Sequence, residues 1–233
     1  MPEYRIEYFK NDEARWLSHL ELVRTFIRAL RRSGLPLVYS QGFNPHPRLS
    51  YGPSLGVGVA GLREYLDVEL ADSLPLHECM SALGQQFPSG LGIRTLMELA
   101  PSAPGLGKSI NCAWYRVALP LEQAITSWQQ AIEDLICGQV PICYKRPRDG
   151  NLFDVRSALA ACRLVSEDNG LALDLLVELG DGSIPLRGLV ETLLSLAEAA
   201  GGYEPGRVTR MALLHHNGGL VSPTGEQKRL WET

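Results

Sequence analysis

The sequence is short of lysine, of paired cysteines and of long apolar runs. Only four of its 22 basic residues are Lys (10, 108, 145, 228). Its positive charge is therefore mostly guanidinium, the group better shaped for two-pronged recognition of phosphate or carboxylate. Five cysteines (79, 112, 137, 143, 162) make an odd number with no CxxC pair and no CxxxCxxC loop. They read as reduced core or near-surface thiols, with no signature of a metal site or a catalytic iron–sulfur cluster. No run approaches 18 apolar residues, which excludes a spanning helix of the usual kind. The opening Met1-Pro-Glu-Tyr-Arg lacks a basic-then-apolar leader. The expectation is a cytoplasmic chain with no membrane partner. Nucleotide fingerprints are missing too. Gly56-Val-Gly58 lacks a third glycine, and Gly105-Leu-Gly-Lys-Ser109 lacks the first glycine of a phosphate loop. No cofactor and no metal are expected.

What is present is ordinary globular material, 45% hydrophobic and 21% charged over 233 residues. That is enough for one large domain or two of about 100 residues each. The net charge of −4 hides an uneven distribution. Between Ala14 and Arg63, seven Arg face one acid, Glu21, giving +6, while the remainder has 15 basic and 25 acidic residues, giving −10.

The periodicities suggest two similar halves. Tyr4, Ile6 and Tyr8 alternate as a strand from Tyr4 to Phe9. Ser18 and Glu21 form a capping box for a helix to Ser33, with Leu20, Val23, Ile27 and Leu30 as its expected inner stripe. Strands are expected at Leu37–Tyr39, Tyr65–Leu70 and Ile93–Leu99, with a helix marked by Leu76, Met80, Leu83 and Phe87. The order β-α-β-β-α-β is the ferredoxin-like arrangement. Pro101 to Gly107 reads as a linker. A looser version of the same order follows. It has strands at Trp114–Leu119, Val140–Tyr144, Leu171–Leu179 and Arg207–His215, and helices along Leu121 to Leu135 and Leu189 to Ala197. The segment from Phe153 to Ser166 reads as either helix or strand. The expected class is α+β, two tandem ferredoxin-like halves with antiparallel sheets. Residues 1–100 form the first half, 108–217 the second, and 218–233 a loose polar tail.

Two stretches carry candidate chemistry. Arg24, Arg28 and Arg31 sit at i, i+4 and i+7, with Arg32 beside them, so they lie along one outer line of the helix. Like charges at that spacing repel. The line reads either as a rail for phosphates or as a solvated face neutralised by acids such as Glu69. In Ser40-Gln-Gly-Phe-Asn-Pro-His-Pro-Arg48, Gly42 permits positive φ and two prolines brace His46. This rigid turn offers Ser40, Gln41, Asn44, His46 and Arg48 as contacts, and Phe43 as a stacking platform or a core anchor. His19 and His46 are the candidate acid/base pair for RNA cleavage, imidazole being suited to that work. His215 and His216 point to opposite faces of a strand end and lack metal-ligand company. Asp67 and Glu69 share a strand face, and read as solvent-facing or as ligands for a cation.

Four segments together resemble the radical SAM-linked proteins. They are Trp16-Leu-Ser-His-Leu-Glu-Leu-Val-Arg24, Arg28-Ala-Leu-Arg-Arg-Ser-Gly-Leu-Pro36, Tyr39-Ser-Gln-Gly-Phe-Asn-Pro-His-Pro-Arg48 and Glu64-Tyr-Leu-Asp67. The resemblance is dense from about Tyr4 to Leu70 and thinner beyond, where Ser183-Ile-Pro-Leu-Arg187 continues it. It implies a bacterial domain fused to, or encoded beside, a cobalamin-type radical SAM protein. It does not imply radical chemistry in this chain. At the level of architecture, tandem ferredoxin-like halves with a glycine-rich turn also resemble the endoribonucleases that process CRISPR repeats. The functional expectation is a non-catalytic module that binds RNA or another anionic substrate beside a radical SAM enzyme. The alternatives are a protein–protein adaptor for that enzyme, with Phe43 and Arg48 as anchors, and a metal-independent endoribonuclease using His46.

Overall fold

The computed structural model describes residues 1–119, 125–137, 142–167, 170–180, 183–197 and 202–231. In chain order the elements begin with β1 (Glu3–Lys10), α1 (His19–Arg32), β2 (Leu49–Tyr51), β3 (Ala60–Glu69), α2 (Leu76–Gly84), β4 (Leu91–Glu98) and α3 (Leu106–Ser109). Then follow β5 (Cys112–Ala118), α4 (Ile125–Cys137), β6 (Cys143–Lys145), β7 (Leu152–Asp154), β8 (Leu159–Glu167), β9 (Gly170–Glu178) and α5 (Leu186–Leu196). The last are β10 (Val208–His216), β11 (Leu220–Val221) and β12 (Gln227–Lys228). The protein is a mixed α+β molecule whose strands pair mostly antiparallel. No helix among the described residues is long and apolar enough to cross a membrane.

Two compact units emerge. Unit 1 is Met1–Ile110 with Arg210–Thr233, and unit 2 is Asn111–Thr209. Most of the last long strand, which the sequence order assigns to the second half, thus belongs with the first. Of the expected loose tail, residues 220–228 are tied down. Leu220 and Ser222 are buried, β11 pairs with β10 and β12, and the Pro223 carbonyl accepts a hydrogen bond from Arg5. A polar stretch is pinned here because its backbone groups find partners within the unit.

In unit 1, β1 pairs with β4 on one side and β3 on the other, and β2 pairs with β3 at Leu66–Val68, opposite β1. The second short strand is therefore Leu49–Tyr51, while Leu37 and Tyr39 contribute only isolated bridges. One sheet face packs Tyr4, Ile6, Leu66 and Val68 against Phe26 and Leu30 of α1 and Leu83 of α2. The capping box forms as the sequence predicts, with Ser18 Oγ accepting from Glu21 N–H and the Glu21 carboxylate accepting from Ser18 N–H. The buried face of α1 is Leu22, Thr25, Phe26, Ala29 and Leu30. Of the expected stripe only Leu30 is fully buried; Leu20 is 58% exposed, and Val23 and Ile27 are half-buried. Two apolar series overlap on this helix, and the sheet takes the one carrying the Phe ring.

The second sheet face carries charge, yet it too is covered. Arg5 Nε and Nη2 each donate to Asp67 at 2.8 Å, and both residues are buried. Asp67 therefore does not face solvent, and both of its carboxylate oxygens are held by Arg5. Tyr65 Oη donates to Glu7 at 3.0 Å. On the helix side, at the far end of β3, Arg210 donates through Nε to Glu64 at 2.8 Å and through Nη2 to the second Glu64 oxygen.

Unit 2 pairs β5, β9 and β8 in that order. Asp174, fully buried on β9, accepts from Arg116 and Arg163. Burial alone raises its pKa, and the Arg hydrogen bonds reverse that and hold it below the ordinary aspartate value. Trp128 and Leu135 of α4 are buried, as are Leu189, Val190, Leu193 and Leu194 of α5. Gly188, in the first turn of α5, lies against the Tyr144 ring, where a Cβ would clash with a ring carbon. The expected Phe153–Ser166 segment resolves into β7, a short 3-10 turn and β8. Leu121, Gly138 and Val140, parts of expected elements, lie outside the described residues.

Candidate functional site

The candidate surface begins with α1. Arg24, Arg28, Arg31 and Arg32 are all exposed. The first three span about 60° of the helical wheel, on the side away from the core. Among the described residues, none makes an ion pair with a carboxylate. Arg28 Nη2 donates to Thr25 Oγ1 at 3.3 Å, and Arg32 donates to the Gln86 side chain and carbonyl. Arg24 lies close enough to Glu21 to help lower its pKa, after the two hydrogen bonds from Ser18 that dominate that shift. Glu69, one expected neutraliser of the rail, instead pairs with Arg48 at 2.8 Å.

The 40–46 turn caps a small hairpin. Tyr39 bridges Pro47, Arg48 N–H donates to the Val38 carbonyl at 2.9 Å, and Glu69 N–H donates to the Arg48 carbonyl at 3.2 Å. Within the turn, Ser40 N–H donates to the His46 carbonyl at 2.8 Å, and His46 N–H donates to Ser40 Oγ at 3.1 Å. Gly42 sits at φ +132°, a conformation that favours glycine. Pro47 is buried and the rest of the tip, Gln41 to His46, is exposed. The Ser40 hydroxyl is thus a brace of the turn. Phe43 is fully exposed and does not anchor in the protein's own core.

The two candidate acid/base residues are not joined by any hydrogen bond or ring contact. His19 stacks edge-to-face on Tyr51 at 5.6 Å, whereas His46 stands on the turn with its backbone engaged. No group of three or more His, Cys, Asp or Glu among the described residues is placed to hold a metal ion. The exposed side of α1 also has an apolar flank that sequence reasoning assigned to the interior: Leu20 is 58% exposed, beside half-buried Val23 and Ile27. Trp16, ahead of the helix, is 59% exposed.

Sequence reasoning missed the buried charges beneath this surface. Lys10, Glu64 and Arg210 are each almost wholly enclosed. Lys10 Nζ donates to the Leu17 carbonyl at 2.7 Å, just ahead of the α1 cap, and burial lowers its pKa. Arg210 Nη2 also donates to the Pro53 carbonyl at 2.7 Å. Glu64 and Asp67 stand in the resembling segment Glu64-Tyr-Leu-Asp67, and that was the one available sign that both acids matter.

A family model described as "Uncharacterized protein conserved in bacteria (DUF2344)" matches residues 3–185. No curated protein matches the sequence. Among solved structures, a chain of the "Crystal Structure of a Cbf5-Nop10-Gar1 Complex" is similar with a TM-score of 0.51 and 13% identity. The match covers 90% of this chain and 48% of that one, so this chain spans about half of that protein's length. At that identity the likeness concerns fold.

Proposed function

We propose, for a chain that belongs to the DUF2344 family of uncharacterized bacterial proteins, that unit 1 is a non-catalytic module that binds RNA phosphates through α1 and the 40–46 turn, beside a radical SAM protein. One observation carries this reading. Among the described residues, Arg5, Arg48, Arg116, Arg163 and Arg210 pair with carboxylates, whereas Arg24, Arg28, Arg31 and Arg32 are exposed and pair with none. A row of unneutralised guanidiniums costs repulsion that a bound polyanion removes. Phe43, fully exposed on a braced turn, supplies a face on which a base stacks. The radical SAM partner rests on the sequence resemblance. The same reading takes each unit as a ferredoxin-like half, supported in unit 1 by β2 and β1 flanking β3, with β4 beyond β1.

Filter binding of a structured RNA at two salt concentrations tests the proposal. Affinity falls steeply with salt for the wild type. The Arg24→Ala/Arg28→Ala/Arg31→Ala variant loses about 2 to 3 units of that slope, as expected for three phosphate contacts. Salt-insensitive binding, or an unchanged slope in the variant, removes the basis of the reading.

A second reading is favoured by the apolar flank. Exposed Trp16 and Leu20 beside Arg24 have the composition of an interface hot spot, which fits an adaptor that grips the radical SAM protein directly. Co-purification after nuclease treatment separates the two. An adaptor keeps its partner and loses it on Trp16→Ala or Phe43→Ala.

A further inference from the structure

Unit 1 also contains a cavity of about 440 Å³ between the connection that follows β4 and the hairpin of β11 and β12. We propose that it binds a small organic carboxylate with an apolar body. Its volume falls in the range of small-molecule sites, about 300–1,000 Å³. Met97, Leu99, Val221 and Pro223 make its walls largely apolar. No Asp or Glu stands among the described lining residues, whereas Lys108 and His215 do. The charge complement of such a pocket is a single anionic group on a hydrophobic frame. One lysine ammonium with apolar walls suits a monoanion better than a phosphate dianion, whose second charge would stay uncompensated.

The pocket is built rather than incidental. Arg5 forms part of the lining, is 2% exposed, and spends every guanidinium N–H. Two go to Asp67, one to Ser109 Oγ at 3.4 Å, one to the Pro104 carbonyl at 3.0 Å and one to the Pro223 carbonyl at 2.8 Å. Pro104 belongs to one wall and Pro223 to the other. Arg5 therefore contributes no free charge to an occupant. It fixes both walls to β1, so the space stands open without a ligand and the cost of ordering it is already met. Two groups in the lining remain unused. Among the described residues, exposed Lys108 has no ion pair and buried His215 Nδ1 has no hydrogen-bond partner. A hydrogen bond donated from His215 Nδ1–H to the occupant's carboxylate removes the cost of the orphaned atom.

Phenylbutyrate is a suitable probe and phenylbutyramide its uncharged counterpart. Titrating either into the full chain, read by isothermal calorimetry and by the ring resonances of His215, tests the assignment. The acid binds saturably with a Kd of about 1 mM or tighter, and the amide at least about tenfold more weakly. Lys108→Gln and His215→Leu each weaken the acid about tenfold, with thermal melts no lower than the wild type's, since Lys108 is exposed and His215→Leu removes an orphaned buried nitrogen. The Arg24→Ala/Arg28→Ala/Arg31→Ala variant binds the acid as the wild type does, so failure here is separable from failure of the RNA reading. Absent saturation, equal affinity for the amide, or undiminished binding in both pocket variants overturns the proposal.

Discussion

Arg5→Met tests how unit 1 is held together. The substitution keeps much of the aliphatic stem and removes every hydrogen bond of the guanidinium. Asp67, 1% exposed, is then a buried carboxylate with no cation. Breaking a buried pair from one side costs about 3–5 kcal/mol, and Asp67→Leu costs a similar amount by stranding Arg5. The double variant Arg5→Met/Asp67→Leu removes both charges. What remains is the loss of partners for two carbonyls, and Ser109 Oγ still donates to that of Pro104 at 2.9 Å. Chiefly the Pro223 carbonyl is left unpaired, at about 1–2 kcal/mol. The double variant should therefore be more stable than either single one, with a coupling energy of several kcal/mol, well above the ordinary range for neighbours of about 0.5–3 kcal/mol. Urea unfolding followed by circular dichroism, together with amide exchange of β1 and β3, measures all four corners of the cycle. If the double variant loses the sum of the single losses, the two residues do not act as one neutralised pair and the reasoning fails.

Three further outcomes follow from the packing. Phe26→Ala should cost about 3–5 kcal/mol and Leu20→Ala less than about 0.5 kcal/mol, because only the former side chain is buried; reversed sizes in urea unfolding would restore the other helix face as the core. Ser18→Ala removes the capping box and should cost about 1 kcal/mol, seen as earlier amide exchange in the first turn of α1. Asp174 titrates below its ordinary value of 3.8 in the folded protein. The stability from that shift is present above 3.8 and is lost as pH falls through the lower folded value. The stability gap between wild type and Asp174→Asn should accordingly narrow in acid, and a gap that stays constant there would contradict the Arg116–Asp174–Arg163 account.

Local signals in the sequence were legible where one short-range cause decided the outcome. Ser18 and Glu21 are three residues apart, so the α1 start could be read directly, and the alternation through Leu66, Val68 and Leu70 gave β3 its core face. The inner face of α1 was misread because residues 20, 23 and 27 and residues 22, 26 and 29 both make plausible stripes, and only the sheet opposite chooses between them. Leu37–Tyr39 was preferred to Leu49–Tyr51 as the second strand for a related reason. Both are short apolar alternations, and pairing with β3 is a long-range matter. Asp67 looked solvent-facing because its neighbours pack inward. Its partner Arg5 is 62 residues away, and that of Glu64 is 146 residues away. Of the candidate contacts, the Arg row lies along one helix line as read, while Ser40 braces its own turn and Arg48 is taken by Glu69.

Arg5 reaches the Pro223 carbonyl across 218 positions, and unit 2 is inserted between the two parts of unit 1. On a ribosome the chain emerges from its N-terminus at about 5–20 residues per second. The N-terminal strand is thus made long before Arg210 and Pro223 exist to meet Glu64 and Arg5. The inserted unit can finish folding while its host still waits with two charged side chains lacking their last partners. Emergence of the segment that begins at Arg210 is the event that lets the host close. A nascent chain stalled before that point should be sensitive to protease at both ends of the host and resistant in the insert.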